Sequence, residues 1–107
     1  MSTYAIAKLR NVVMGEAIAE YLHRIDATLG PFGGKFRVHG GQAELLEGDW
    51  TGDLIIIEFA DRRAARGWYA SPDYQAILPL RTRHSEGDVI LIDGVPEDHR
   101  AHEVLPA

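Results

Sequence analysis

Two runs of apolar residues predict strands of a sheet, and the first of them is the expected central strand. Asp53–Phe59 reads DLIIIEF and Asp88–Ile92 reads DVILI, so neither run keeps a polar face through its middle. Successive side chains of a strand point to opposite faces, so a strand that is apolar at every position is buried on both. We therefore expect both strands to be covered on both faces of their sheet.

Alternation of residue types predicts a further strand at the start of the chain. Thr3–Arg10 places Ala5 and Ala7 on one face, where small residues allow another element to pack closely. The other face holds the larger side chains, namely Tyr4, Ile6 and Lys8.

The same alternation predicts another strand after Gly33-Gly34. Phe36 and Val38 share one face, and the opposite face holds Lys35, Arg37 and His39. Gly40-Gly41 is expected to bend this strand, and pairing is expected to resume through residues 43–47. The turn-rich link at 48–52 would then join it to Asp53–Phe59 as an antiparallel hairpin.

Apolar side chains at three- and four-residue steps predict the helices. In the first helix this apolar stripe consists of Met14, Ile18, Tyr21, Leu22, Ile25 and Leu29. Asn11 is the expected N-cap of a first helix over Val12–Leu29. A second helix is expected after the cap residue Asp61. Ser71-Pro72 should start a third helix, which is expected to bend or end before Pro79.

The resulting order, βαββ(αα)β, predicts an α+β, ferredoxin-like βαββαβ protomer with an antiparallel sheet and its helices on one face. Helices on one face would leave apolar side chains of the other face exposed, over a larger area than monomers tolerate. We therefore expect a homodimer in which two sheets face each other as a dimeric α+β barrel. The alternative is a second face that is only half apolar and is solvated.

Composition restricts the classes of partner. The 107 residues carry a formal net charge of -5 and no basic stripe, which argues against nucleic acid. Without cysteine there are no disulfides and no thiolate ligands. Neither a signal peptide nor a membrane span is recognisable, so we expect a cytoplasmic protein that does not bind membranes. Residues 1–95 are expected to form one domain, followed by a C-terminal tail at 96–107.

Three stretches resemble the DUF1330 family of the dimeric α+β barrel superfamily. They are Tyr69–Arg81, Glu47-Gly48-Asp49-Trp50 and Gly33-Gly34, and the similarity extends from about Tyr4 to Gly94. The resemblance implies a ferredoxin-like protomer and a two-chain barrel. It implies no particular chemistry, because the wider superfamily includes cofactor-free monooxygenases, lactone isomerases, haem proteins and ligand-sensing regulators.

Polar residues on the sheet face away from the helices are the first candidates for chemistry. If Ile55, Ile57 and Phe59 face the helices, alternation places Glu58 on the opposite face with Arg37 and His39, and Lys8 near them. A carboxylate beside an imidazole in a partly dry cleft can act as a general acid or base, which makes His39 and Glu58 the catalytic candidates. The alternative is a structural ion pair of Glu58 with Lys8 or Arg37.

Basic and aromatic residues around the third helix are candidates for ligand binding. Arg81, with His84 after it, could anchor a small anion through charge-assisted hydrogen bonds. Alternatively, Arg81 satisfies the last helical carbonyls or pairs with Glu86. The wall of the site would be formed by Trp68, Tyr69 and Tyr74.

Two functions fit these residues. One is an enzyme without a bound cofactor, acting on a small, partly apolar, anionic molecule in a cleft between helices and sheet. The other is a non-catalytic ligand-binding or stress-associated accessory protein with the same pocket. No metal site is expected, because His99 and His102 lie in the tail, which is expected to be a solvated arm or disordered.

Overall fold

The protein forms a four-stranded sheet covered on one side by three helices. The computed structural model describes residues 1–106, and the last residue of the predicted tail, Ala107, lies outside them. The strands are β1 (Thr3–Arg10), β2 (Lys35–Val38), β3 (Asp53–Phe59) and β4 (Glu86–Asp93). The helices are α1 (Glu16–Leu29), α2 (Arg62–Ala70) and α3 (Pro72–Thr82), with 3-10 turns at Gly30–Phe32 and Ala101–Val104.

The strands are arranged in the order β2-β3-β1-β4, and every neighbouring pair is antiparallel. The register pairs Ile6 of β1 with Ile56 of β3 and with Ile90 of β4. This topology confirms the predicted ferredoxin-like α+β fold. Among residues 1–106, no helix combines the length and apolar composition that crossing a bilayer requires.

The core lies between the sheet and the helices. The sheet contributes Ala5, Ile57 and Phe59, and the helices contribute Tyr21, Ile25, Leu29, Ala65, Trp68, Tyr74 and Ile77. Two of the predicted N-caps are present: Asp61 accepts a hydrogen bond from the N–H of Ala64 at 2.8 Å, and Ser71 accepts one from Tyr74 at 3.2 Å. These caps satisfy helical N–H groups that would otherwise lack a partner.

The opposite face of the sheet, which we call the outer face, is not covered within one chain. It carries the apolar side chains of Tyr4, Ile6, Leu54, Ile56, Ile90 and Ile92. Ile90 is 51% exposed and Ile92 is 47% exposed. Within one chain no helix covers the outer side chains of β4, as expected for a sheet with its helices on one face.

Two helix boundaries differ from the prediction. The first helix begins at Glu16 rather than Val12, and its N-cap is Gly15 rather than Asn11. Asn11 adopts a left-handed conformation (φ 51°), its side-chain amide donates to Glu86, and Val13 N–H donates to the carbonyl of His84. These hydrogen bonds hold the segment against the start of β4 and keep it out of the helix.

The third helix continues through Pro79 to Thr82 instead of bending or ending before it. A proline removes only its own N–H from the helical ladder, so the turns on either side can persist. The Pro79 carbonyl still accepts a hydrogen bond from Arg83 N–H at 3.1 Å.

The predicted second half of β2, at residues 43–47, does not form. The chain between Val38 and Asp53 contains no strand, and residues 40–52 are exposed. Gly40 and Gly48 are in the left-handed region, with φ of 77° and 75°, which interrupts any extended run. Trp50 instead packs near Lys8, whose ammonium lies 4.3 Å from the centre of a Trp50 ring.

The close packing of Gly34 generates a prediction for stability. A Cβ at Gly34 would lie 2.7 Å from the side chains of Leu29 and Phe59, both core residues. Gly34→Ala should therefore lower the free energy of unfolding by about 1–3 kcal/mol, measured by urea denaturation at fixed protein concentration. Gly41→Ala is the matched control, because its Cβ would meet no atom within 4 Å. Equal stability of the two variants would contradict this packing.

Candidate functional site

A cavity of about 280 Å³ lies between the sheet and helices α1 and α3. Its walls are mainly apolar: β1 provides Ala5, Ala7 and Leu9, β3 provides Ile55 and Ile57, and α1 provides Ile18, Leu22 and Ile25. Val12 and Met14, from the segment that precedes α1, also border it. Its volume is near the lower end of the range of small-molecule sites, about 300–1,000 Å³.

Two tyrosines place their hydroxyl groups together at the wall of this cavity. Tyr21 comes from α1 and Tyr74 from α3, and their hydroxyl oxygens are 2.8 Å apart. The rings meet edge to face, with an interplanar angle of 90°. Burial, followed by the neighbouring Tyr74, raises the pKa of Tyr21 well above its ordinary value, so its hydroxyl stays protonated at any physiological pH.

Arg81 is the cationic side chain of the cavity wall. It lies in the last turn of α3, half-buried, with its guanidinium carbon 5.9 Å from the centre of the Tyr21 ring. Within residues 1–106 no carboxylate forms an ion pair with it, and Glu86 instead pairs with Arg10 at 3.5 Å. The predicted alternative, an Arg81–Glu86 pair, is therefore wrong.

Trp68 also borders the cavity, but its polar atom is already satisfied. Its indole N–H donates to the hydroxyl of Thr28 at 2.9 Å, and that hydroxyl donates to the carbonyl of Ile25 at 2.7 Å. The Trp68 ring packs against Phe59 and Tyr74. Trp68 and Tyr74 thus form part of the cavity wall.

His39 borders the cavity from the helix side of the sheet, which contradicts its predicted face. Phe36 pairs with Ile57, but Val38 pairs with Ile56, so a β-bulge inserts one extra residue between them. The bulge places Val38 on the outer face and His39 on the same face of the sheet as Phe36. The two rings stack with centroids 4.5 Å apart.

Glu58 and Arg37 lie on the outer face, away from the cavity. Arg37 Nε donates to Glu58 at 2.6 Å, and the hydroxyl of Ser2 donates to the other carboxylate oxygen. The hydrogen bonds from Ser2 and then Arg37 lower the pKa of Glu58. His39 and Glu58 therefore do not converge, and the structural alternative of a Glu58–Arg37 ion pair is the one observed.

The remaining candidates also lie outside the cavity. Tyr69 packs beside Trp68 and Tyr74 without reaching the cavity, and His84 interacts through its backbone with Arg81 and Val13. Of the predicted ligand-binding residues, the structure brings together Trp68, Tyr74 and Arg81, and it adds Tyr21, which helical periodicity had identified only as a core residue. No group of three or more metal-binding side chains occurs in the part of the chain described.

Comparison with known sequences finds one family. The model described as "Domain of unknown function (DUF1330)" matches residues 2–95. No curated protein matches the chain.

Several solved structures share the fold. The RPA0582 protein of unknown function from Rhodopseudomonas palustris is 19% identical, with a TM-score of 0.68 over 89% of this chain and 83% of that one. A dimeric ferredoxin-like protein of unknown function from Jannaschia sp. CCS1 is 15% identical, with a TM-score of 0.68 over 88% and 100%. SnoaB, a cofactor-independent oxygenase from Streptomyces nogalater, is 16% identical, with a TM-score of 0.54 over 92% and 98%. At these identities the similarity establishes the fold alone.

The Glu58 cluster predicts a specific pH dependence of stability. A carboxyl whose pKa is lowered by folding stabilises the protein fully above its ordinary pKa, here 4.5, and loses that contribution as the pH falls through the folded value. Glu58→Gln should therefore be less stable than the parent protein at pH 7, and the difference should shrink below pH 4.5. Urea denaturation across this range measures it. Glu47→Gln, in the exposed loop, is the control, and a Glu58→Gln deficit that does not change with pH would contradict the assignment.

Proposed function

Because the chain belongs to the DUF1330 family, whose function is unknown, we propose from its own cavity that it binds a small, partly apolar, anionic molecule. The observation that carries the proposal is Arg81, a half-buried cation without a carboxylate partner among residues 1–106, on the wall of an otherwise mainly apolar cavity. An anionic group of the ligand would pair with Arg81. The apolar part would lie against the aliphatic side chains of α1 and the sheet.

The apolar wall and the single cation favour a ligand that carries one anionic group on an apolar body. Apolar surface removed from water contributes about 25 cal/mol per Å², so the aliphatic wall would supply much of the affinity. A charge-assisted hydrogen bond from a guanidinium would fix the orientation of the ligand. Besides the two tyrosines, His39 and Asp53 are the other ionisable groups that border the cavity.

Whether the bound molecule reacts depends on His39. Its imidazole borders the cavity and is partly exposed, and it is the candidate general acid or base that remains after Glu58 has been placed elsewhere. The fold shared with the cofactor-independent oxygenase SnoaB supports a cofactor-free enzyme. The alternative is a non-catalytic ligand-binding or stress-associated accessory protein. An enzyme would convert the bound ligand, whereas a non-catalytic binding protein would release it unchanged.

We further propose that the outer face is the interface of a homodimer. Its apolar side chains, Ile90 and Ile92 above all, are exposed in one chain and would be covered by the same face of a second copy. The similar Jannaschia protein is dimeric, which supports this assignment. A domain at 1–95 with a separate tail and a cytoplasmic location both stay predictions.

Ligand binding is tested by thermal shift with a panel of small carboxylic acids at millimolar concentration. Acids with an apolar body, such as benzoate and hexanoate, should raise Tm by about 4 °C or more at ten times their Kd, because ligands that bind only the folded state stabilise it. Arg81→Gln should abolish the shift, whereas Arg66→Gln, an exposed arginine of α2, should retain it. Absence of a shift with every acid, or an equal shift in Arg81→Gln, would refute the anchor.

The dimer is tested by substitution on the outer face. Ile90→Glu places a charge where two apolar faces would meet, so sedimentation velocity at micromolar concentration should show a monomer in place of the dimer formed by the parent protein. Val13→Glu, which adds the same charge to an exposed residue remote from the outer face, should stay dimeric. A folded monomer of the parent protein would refute the interface.

A further inference from the structure

The paired hydroxyl groups of Tyr21 and Tyr74 leave one hydrogen-bond donor unused. Two phenolic hydroxyls carry two hydrogens, and the 2.8 Å bond between their oxygens consumes one of them. The neighbouring Arg81 guanidinium can only donate to these hydroxyl oxygens, so it does not consume the second hydrogen. One O–H therefore remains for a ligand, at the wall of the cavity that also holds Arg81.

Burial and the position of Arg81 favour Tyr21 as the hydroxyl that faces the ligand. Tyr74 is the more deeply buried of the two, at 2% exposure, and packs against Trp68 with ring centroids 4.1 Å apart. The guanidinium carbon of Arg81 lies over the Tyr21 ring, 5.9 Å from the ring centre. The distance between the two oxygens fits either direction of donation, and with Tyr74 as the donor, Tyr21 keeps its hydrogen for whatever Arg81 binds. A hydroxyl that accepts a hydrogen bond is polarised and becomes a better donor, which suits it to an anion.

We propose that Tyr21, supported by Tyr74, forms an oxyanion site with Arg81, and that this site selects a monocarboxylate with an apolar body. The inference rests on the proposed function, because it assigns the ligand class of the same cavity. One cation and one spare hydroxyl hydrogen match the single charge and two oxygens of a carboxylate. A phosphate dianion would bring a second negative charge for which the residues lining the cavity include no second arginine or lysine, and Asp53 adds negative charge at the wall.

The assignment makes Tyr21 a specificity-determining residue. A neutral amide of the same shape as the acid can occupy the cavity, but it cannot exploit the charge of Arg81 and gains less from the polarised hydroxyl. Loss of the Tyr21 hydroxyl should therefore penalise the acid far more than the amide. Phenylalanine preserves the ring and its edge-to-face packing, so it removes the donor with little change in volume.

The test compares binding of benzoate and benzamide by isothermal titration calorimetry. In Tyr21→Phe, benzoate affinity should fall about tenfold or more, as expected for a hydrogen bond to a charged group, while benzamide affinity should change by less than about threefold. Tyr74→Phe should weaken benzoate by a smaller factor, because it removes only the polarising partner. Tyr4→Phe, on the outer face, is the matched control and should bind benzoate as the parent protein does.

The outcomes separate this inference from the proposed function. Loss of benzoate binding in Arg81→Gln together with unchanged binding in Tyr21→Phe would leave the anion anchor standing and overturn the tyrosine site. An equal loss of benzoate and benzamide affinity in Tyr21→Phe would also overturn it, because that pattern is the result of a damaged cavity. Failure of the parent protein to bind benzoate, phenylacetate or hexanoate at millimolar concentration would overturn both.

Discussion

The cavity exists because β1, one of the two inner strands, offers two alanines to the helices. Ala5 and Ala7 project from β1 toward α1, with Ile57 and Ile55 of β3 opposite them in the register. Interiors are normally packed to the density of organic crystals, so a gap beside two methyl groups would be filled if a neighbour could reach it. Tyr21 and Tyr74 do not fill the gap, because their rings pack edge to face and their hydroxyls bond to each other.

The two faces of the sheet therefore serve different purposes. The helix face combines a dense core around Phe59, Trp68 and Ile77 with the cavity farther along β1 and β3. The outer face carries polar groups at both ends, with the Glu58–Arg37 pair at one and the Arg10–Asp88 pair at the other, and apolar side chains between them. Alternation in the strands keeps these residue sets apart, since neighbouring positions point to opposite faces. Pairing at the outer face would leave the cavity within each protomer.

Much of the fold follows from local patterns. The four strands, the caps at Asp61 and Ser71 and the buried faces of the helices depend on periodicity and on hydrogen bonds within a few residues. The predictions of secondary structure fail where contacts between residues distant in sequence determine the conformation. Asn11 bonds to Glu86 rather than to the first helical turn, and no local signal reveals that partner.

The candidate site was harder to predict for a related reason. A single inserted residue in β2 moved His39 from one face of the sheet to the other, and a bulge of this kind is set by pairing with β3 rather than by the sequence KFRV. Tyr21 was identified as a core residue because it lies on the apolar stripe of α1. Its role depends on Tyr74, 53 positions away, so only the packing of α1 against α3 brings the two hydroxyls together.

Arg81 differs from several other arginines of the chain in having no carboxylate partner among residues 1–106. A half-buried guanidinium loses part of its hydration, and ordinarily a carboxylate of the same protein compensates for that loss. Arg81 is not compensated in this way among residues 1–106, although the chain has more acidic than basic residues and pairs Arg10, Arg24, Arg37 and Arg62 with them. The hydroxyls of Tyr21 and Tyr74 relieve the cost only in part, because they are neutral. An anion supplied from outside the chain would complete the interaction.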